Sequence, residues 1–512
     1  MFGFFKKNKR PDPERRGIPE GTRKPPDPAP SSSGHGRPAG TPPTQATASS
    51  KAEVIPDATR IPLAGARVTV FGLGASGAAA ARLLARENAR VTVADERPEA
   101  TPPPDRPLPD GCTVAYGEVS DALENADLIV LSPGVPRAHP ALLAAEASRV
   151  PVIGEVELAA RHLDPATTVI GITGTNGKST VTALAGHILS GWKARVFTGG
   201  NLGEPLSSAA LAQETDGPWD LVVAELSSFQ LEGTTSFAPD IGVLLNTAPD
   251  HLDRYPNLSA YYAAKFHLFA FMQQGYALLN AGDDSTATVT EHYLSGAAPV
   301  LFGVDPDASD GVGIKDGVIS VTTGGETHPI VAVSELSISG NHNVENAQAA
   351  AAICLLAGCP IPIIAERIVS FTGLPHRMQT VAEADGITWI DDSKATNPGA
   401  VVKALTGMDA PLTLLLGGRD KGGDLATLRE PVFLHARRVI AFGEAAEIFR
   451  LVLRGFPELT VVETLAEAVN AARTGATAGE VVLLSPACAS FDEFSSYAER
   501  GDAFRKYAME AA

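Results

Sequence analysis

The run GITGTNGKST, Gly171–Thr180, follows Thr168, Val169 and Ile170 and opens a stretch rich in helix formers. A strand, a glycine loop and Lys-Ser-Thr at a helix start read as a phosphate cradle. Backbone N–H groups from Gly174 through Thr175, Asn176 and Gly177 to Lys178 can point at phosphate oxygens, Lys178 can neutralise terminal phosphates, and Ser179 or Thr180 can ligate Mg²⁺. The strict motif G-x-x-x-x-G-K-[ST] wants glycine where Ile172 stands, so the match is to the mechanism rather than the letter. A bare capping turn would leave Lys178 at a positive helix end with nothing to balance it.

Outward from this loop, apolar strands alternate with helical stretches. "ARVTVFG", "RVTVAD" and "ADLIVLSPG" precede it; "DLVVAELS" and "IGVLLNT" follow; "ITWIDD", "LTLLLGG", "RRVIAFG" and "EVVLLSP" form a third group. Such alternation predicts α/β architecture with parallel sheets, which bind ligands at the carboxyl ends of their strands. At 512 residues the chain exceeds one ordinary core. The expected division is a Pro/Ser/basic extension over 1–60, a Rossmann-like domain over 61–155, a P-loop ATPase-type domain over 156–373 and a second Rossmann-like domain over 374–512.

The 41 basic against 59 acidic side chains leave no field suited to nucleic acid. Four cysteines without a Cys-x-x-Cys pair predict neither a disulfide framework nor a thiolate zinc site, which points to a reducing cytoplasm. No stretch reaches the roughly 20 apolar residues of a membrane span. The first 60 residues read as disordered; their start, MFGFFKKNKR, interleaves Phe2, Phe4 and Phe5 with basic residues and could weakly touch an anionic membrane surface or a partner.

A second glycine loop, GLGASG at Gly72–Gly77, fits G-x-G-x-x-G, with Asp95 ending the next strand. The pattern fits a dinucleotide, the acid taking a ribose hydroxyl, and so leaves a nicotinamide-dependent oxidoreductase open. A UDP-sugar also carries a pyrophosphate. Glycines needed only for packing are the structural alternative.

GTNGKST together with GGNLG, ELSSFQLE, NTAPDHLDRYP, AAKFHLF, GNHNVENAQAA, GLPHRMQ, DDSKATNPGA and LLSPACASFDEF resembles the Mur ligases, over roughly residues 61–512. Within them it is similar to the branch that adds D-glutamate to UDP-N-acetylmuramoyl-L-alanine. The resemblance implies ATP-driven amide formation through an acyl phosphate, in cytoplasmic cell-wall precursor synthesis. It implies Lys178, Glu225, His251 and Lys265 as the catalytic centre, with Ser179, Glu225, His251 and a carbamylated Lys265 holding two Mg²⁺ ions. Without it, Lys265 reads as a solvated lysine on an amphipathic helix and His251 as an ordinary loop histidine.

By the same resemblance, ATP meets Gly174–Thr180, with Asn343 and Asn346 at the adenine and Arg377 and Asp392 toward phosphate and ribose. The UDP-substrate meets Ser76, Glu96, Arg97, Ser132, Gly134 and Asn201. D-Glutamate meets Lys394, Thr396, Lys421, Ser490 and Phe491. A catalytically silent scaffold is the remaining alternative; it leaves the intact Lys178, Glu225, His251 and Lys265 unexplained.

Overall fold

The computed structural model describes residues 61–509, apart from positions 99, 104–105, 253, 339, 407, 409 and 421–423. Lys421 and the first 60 residues, with the disorder and surface contact expected of them, lie outside the described residues.

Alternating apolar residues send each strand's side chains to two faces, and both faces are covered by packing. In the strand Leu128–Leu131, Leu128 and Val130 enter one core cluster and Ile129 and Leu131 another. This strand belongs to a five-stranded parallel sheet in the order Thr113–Tyr116, Arg90–Asp95, Arg67–Phe71, Leu128–Leu131, Val152–Gly154. The order reverses between Arg67–Phe71 and Leu128–Leu131, and a ligand crevice opens beyond such a reversal.

The second sheet has nine strands, with Thr168–Thr173 between Ile241–Leu244 and Leu221–Glu225. Val222 and Ala224 join the core that holds Val68 and Val70 of the first sheet, whereas Val223 packs with Ile170 and Val181 on the other face. One apolar core therefore continues between the first two sheets, and each fully buried aliphatic side chain contributes roughly 1.5–3 kcal/mol.

Beyond the strands expected in this unit, Tyr276–Asn280 and Ala298–Val304 extend it in parallel. Gly311–Lys315, Val318–Thr323 and Glu326–Ala332 then add an antiparallel meander. Its turns carry Asp316 and Gly317, then Gly324 and Gly325, all at positive φ. Asp-Gly and Gly-Gly are the turn pairs that match strand twist, so this meander had a local sequence signal.

The third sheet has six strands, with Val481–Ala487 between Ile387–Asp391 and Leu412–Gly417. Trp389 and Leu484 pack with Phe504 on one side; Leu414 and Leu483 pack with Val401 on the other. A Gln379–Ala384 strand pairs antiparallel at the edge.

Candidate functional site

The strand Thr168–Thr173 delivers the glycine loop to the carboxyl edge of the nine-stranded sheet. Gly177, at φ +85°, is the N-cap of the helix Lys178–Ser190. A Cβ at Gly177 would lie 2.5 Å from Asn346 Oδ1, so both conformation and space require glycine. Asn246, which sequence reasoning missed, holds the loop: its Oδ1 accepts from Asn176 N at 2.9 Å, its Nδ2 donates to Asn176 O at 3.1 Å, and its carbonyl accepts from Thr175 N at 2.9 Å. Its position just past Leu244, at the end of the adjacent strand, is the signal that could have found it. Gly177→Ala is expected to cost about 1–3 kcal/mol through backbone strain. Urea unfolding and ATP titration check this; unchanged stability and ATP affinity would contradict it.

Two lysines converge on one oxygen of this loop. Lys178 Nζ donates to Gly174 O at 2.9 Å and to Thr175 O at 3.0 Å, while Lys265 Nζ donates to Gly174 O at 2.8 Å. Lys265 sits on the helix Leu258–Phe266 and is 1% exposed, which corrects the residue-level expectation of a solvated lysine. The helix ends at Phe266 and passes into a 3₁₀ turn, His267–Phe269. Burial, then the neighbouring Lys178 charge, pushes the Lys265 amine well below the ordinary lysine range; Asp250 and Glu225 oppose this. Burial likewise lowers Lys178, with Glu225 opposing.

Glu225 ends the neighbouring strand and is buried; its Oε1 accepts from Asn201 Nδ2 at 2.9 Å, and its Oε2 has no hydrogen-bond partner among the described residues. Such an oxygen suits a hard cation. Ser179 Oγ accepts from Lys394 Nζ at 3.0 Å. His251 adopts φ +55° and packs edge-on to Phe229 with ring centroids 4.9 Å apart. Asp250 beside it, another residue missed from sequence, influences both Lys178 and Lys265. Among the described residues no three His, Cys, Asp or Glu side chains cluster as a ready metal cage. Ser179, Glu225 and His251 nonetheless supply oxygen and imidazole donors, so the donor set fits Mg²⁺ if Lys265 carries an anionic cap.

Asn343 and Asn346 are buried within the helix Asn341–Leu356, whose N-cap is Gly340, so neither is a cap. Asn346 donates to Asn343 Oδ1 at 3.1 Å and stands against Gly177. Buried Thr180 has an unpartnered hydroxyl, and Arg377 a buried, unpartnered Nε, among the described residues. His376 and Met378, on either side of Arg377, are both at positive φ.

Asp392 accepts from Ser485 Oγ at 2.9 Å and from Met378 N at 3.3 Å; burial raises its carboxyl to about 7, against the pull of Ser485 and Arg377. The folded protein therefore holds this proton more tightly than the unfolded chain. That stabilisation is complete below the ordinary value of 3.8 and is lost as pH rises through about 7. Asp392→Asn is expected to flatten the ligand-free protein's stability across this window. A slope identical to that of the unmodified chain, in urea titrations at stepped pH, would contradict the assignment.

The first sheet's crevice is a cavity of about 600 Å³. It brings together Ser76, Glu96, Arg97, Ser132 and Gly134 with Asn201 of the second sheet's loops. Ser132 Oγ donates to Gly72 O at 2.7 Å. Arg97 does not stand free: its Nε and Nη2 donate to the Asp95 carboxylate at 2.9 and 2.8 Å. Asp95 also accepts from Leu73 N at 2.8 Å, and the Arg97 hydrogen bond leads in holding its carboxyl at about 2. The acid expected to take a ribose hydroxyl is thus engaged in fixing the loop. His139, unnoticed in sequence, meets Glu96 Oε1 at 2.8 Å.

On the third sheet, Lys394 lies over the Tyr497 ring, 5.2 Å from its centroid, and burial lowers its amine to about 8. Thr396 N donates to Lys394 O at 2.9 Å. Ser490 is buried, whereas Phe491 is 62% exposed. Arg500, also missed, donates to the carbonyls of Ser393, Cys488 and Ala489 at 2.8, 3.1 and 3.2 Å, tying the loops that carry Lys394 and Ser490.

Comparison with known proteins matches residues 66–154 to the Mur ligase MurD-like N-terminal domain, 172–354 to the Mur ligase middle domain and 376–488 to the Mur ligase glutamate ligase domain. The chain is 42% identical over 446 residues to UDP-N-acetylmuramoylalanine–D-glutamate ligase of Syntrophotalea carbinolica, covering 86% of this chain and 96% of that one. It is 40% identical over 458 residues to the like-named protein of Myxococcus xanthus, covering 87% and 98%. In fold it is similar to MurF from Acinetobacter baumannii, with a TM-score of 0.57 at 20% identity over 83% of this chain and 86% of that chain. It is likewise similar to UDP-N-acetylmuramate-alanine ligase MurC from Thermotoga maritima, with a TM-score of 0.55 at 18% identity over 87% and 100%.

Proposed function

The chain belongs to the Mur ligase family, and from this and the geometry above we infer that it is an ATP-dependent ligase. It adds D-glutamate to UDP-N-acetylmuramoyl-L-alanine in the synthesis of peptidoglycan precursors. The observation that carries this reading is the 3.0 Å contact of Lys394 with Ser179 Oγ. It sets the third sheet's loops against the phosphate loop, while Asn201, bonded to Glu225, lines the nucleotide pocket. Sites for three reactants thus border one centre.

In the proposed reaction the substrate carboxylate attacks the γ-phosphate of ATP, giving an acyl phosphate and ADP. The amine of D-glutamate then attacks the acyl carbon, and phosphate leaves. Backbone N–H groups of the glycine loop and Lys178 hold the phosphates, while Arg377 supplies a further guanidinium. Asn343 and Asn346 border the nucleotide, and Asp392 serves its ribose side. The UDP moiety occupies the first sheet's crevice against Ser76, Glu96, Arg97, Ser132 and Gly134. Lys394, Thr396 and Ser490, with Lys421, serve the acceptor's carboxylates, and Phe491 belongs to the same acceptor site.

Ser179, Glu225, His251 and carbamylated Lys265 would hold two Mg²⁺ ions, which when bound screen like charges between carboxylate and phosphate. The depressed Lys265 amine supports its capping: its neutral form attacks CO₂, the N–C bond forming as one C=O π pair moves onto oxygen, and the nitrogen then releases one proton. Free cysteines, and the lack among the described residues of any helix long and apolar enough to cross a membrane, fit work in the cytoplasm.

Phosphate release from ATP, Mg²⁺ and UDP-N-acetylmuramoyl-L-alanine tests the reading. Release that requires D-glutamate is expected. Preference for L-glutamate or a diamino acid would reassign the acceptor, and NADH oxidation would favour a nicotinamide enzyme.

A further inference from the structure

The loop that carries His251 also carries Arg254, whose side chain crosses to the nucleotide pocket. Its Nη1 donates to Pro133 O at 3.0 Å and its Nη2 to Val135 O at 3.1 Å. Those residues flank Gly134 on the pocket wall. The next residue back, Ser132, holds the glycine loop through Gly72 O at 2.7 Å. On its other side the guanidinium carbon lies 3.8 Å from the centroid of the Phe229 ring, and that ring packs edge-on to His251. Arg254 N donates to His251 O at 3.0 Å, so the two residues share one turn.

We propose that Arg254 is a positioning residue that sets the distance between the nucleotide-sugar pocket and the phosphoryl-transfer centre. The inference rests on the function proposed above. A planar fork spanning two carbonyls fixes direction as well as distance, which a single ammonium does not. The groups it aligns belong to different sheets, and the pocket-side partners are backbone atoms, so no substrate contact is needed. Reaction between a carboxylate and a phosphate depends steeply on approach: displacement by about 1 Å can cost on the order of 100-fold in rate.

Arg254→Met and Arg254→Lys, measured beside the unmodified full-length protein, test this. The readouts are kcat, the KM for ATP, the Kd of UDP-N-acetylmuramoyl-L-alanine by calorimetry, and the thermal midpoint. For Arg254→Met, kcat is expected to fall about 100-fold, with the ATP KM and the nucleotide-sugar Kd within about threefold of the unmodified values and the midpoint within about 3 °C. Arg254→Lys, reaching one carbonyl, should stay below about a tenth of the unmodified kcat. A Met variant with kcat within about threefold of normal would overturn the proposal, as would parallel losses in both affinities and the midpoint, which mark a merely structural role. An unmodified protein inert toward D-glutamate would instead strike the functional reading.

Discussion

Lys178→Met is expected to lower turnover about a thousandfold, the scale on which a single preorganised charge-stabilising group acts, while leaving the fold intact. The two halves have separate causes. Lys178 Nζ is held by Gly174 O and Thr175 O, neutral carbonyls of its own loop, rather than by a directly paired carboxylate. Burial disfavours its charge, with only the fields of Glu225 and Asp250 opposing. Methionine keeps the aliphatic stem and removes an incompletely compensated cation, so folding stability should hold or rise. In turnover the same cation meets charge that grows on the transferring phosphoryl group, and nothing else on the loop can replace it: Arg377 and Lys394 approach from the third sheet. Phosphate-release kinetics and thermal unfolding on the same preparation check both halves. Normal turnover would remove Lys178 from the mechanism; loss of fold would mean that its carbonyl contacts are structural.

The elements that position this centre were legible in the sequence because they are short apolar runs ending in glycine: TVIGIT before the phosphate loop, RVTVF before GLGASG. What strands and loops put at their own ends was legible too, including Glu225, Ser132 and Lys394. Residues that act across elements were not. Lys265 shares its helix with Tyr261 and Tyr262, and its period looks amphipathic; only the fold brings it under the glycine loop, against Gly174 O and the Tyr261 ring, and removes it from water. Asn246 and Arg500 bond backbone in other segments, Asp250 accepts from the distant Asn397 side chain at 3.4 Å, and neither periodicity nor spacing encodes such partners. Asp95 shows the converse limit. Its position after the second strand is that of a ribose-binding acid, yet Arg97, two residues on, neutralises it and turns it into a clamp on Leu73. The meander from Gly311 to Ala332 stands apart: its turn pairs were readable, but the doubly wound pattern around it favoured helices between strands.

Lys265→Ala should abolish ligation to within about a thousandth of normal, and the pattern of rescue is what identifies the side chain's chemistry. Lys265 and Lys178 donate to the same carbonyl oxygen, at 2.8 and 2.9 Å. Two full ammonium charges so placed repel at short range in a site with little water, so one amine must yield its proton more readily. Lys265 is the more deeply buried, and its amine is pushed well below the ordinary range. A neutral amine is the form that reacts with CO₂, and the product is an anion where an ammonium stood, which also relieves the repulsion with Lys178. Alanine removes both amine and anion and leaves space beside Gly174 and Tyr261 for a small molecule. Formate or acetate should therefore restore part of the activity, because either brings a carboxylate to that space. Bicarbonate should not, because no amine remains to capture CO₂. An ammonium role predicts the reverse selectivity: methylamine would rescue and carboxylates would inhibit. Titrating each additive against the alanine variant separates the two, and rescue by the amine alone would rule out the carbamate.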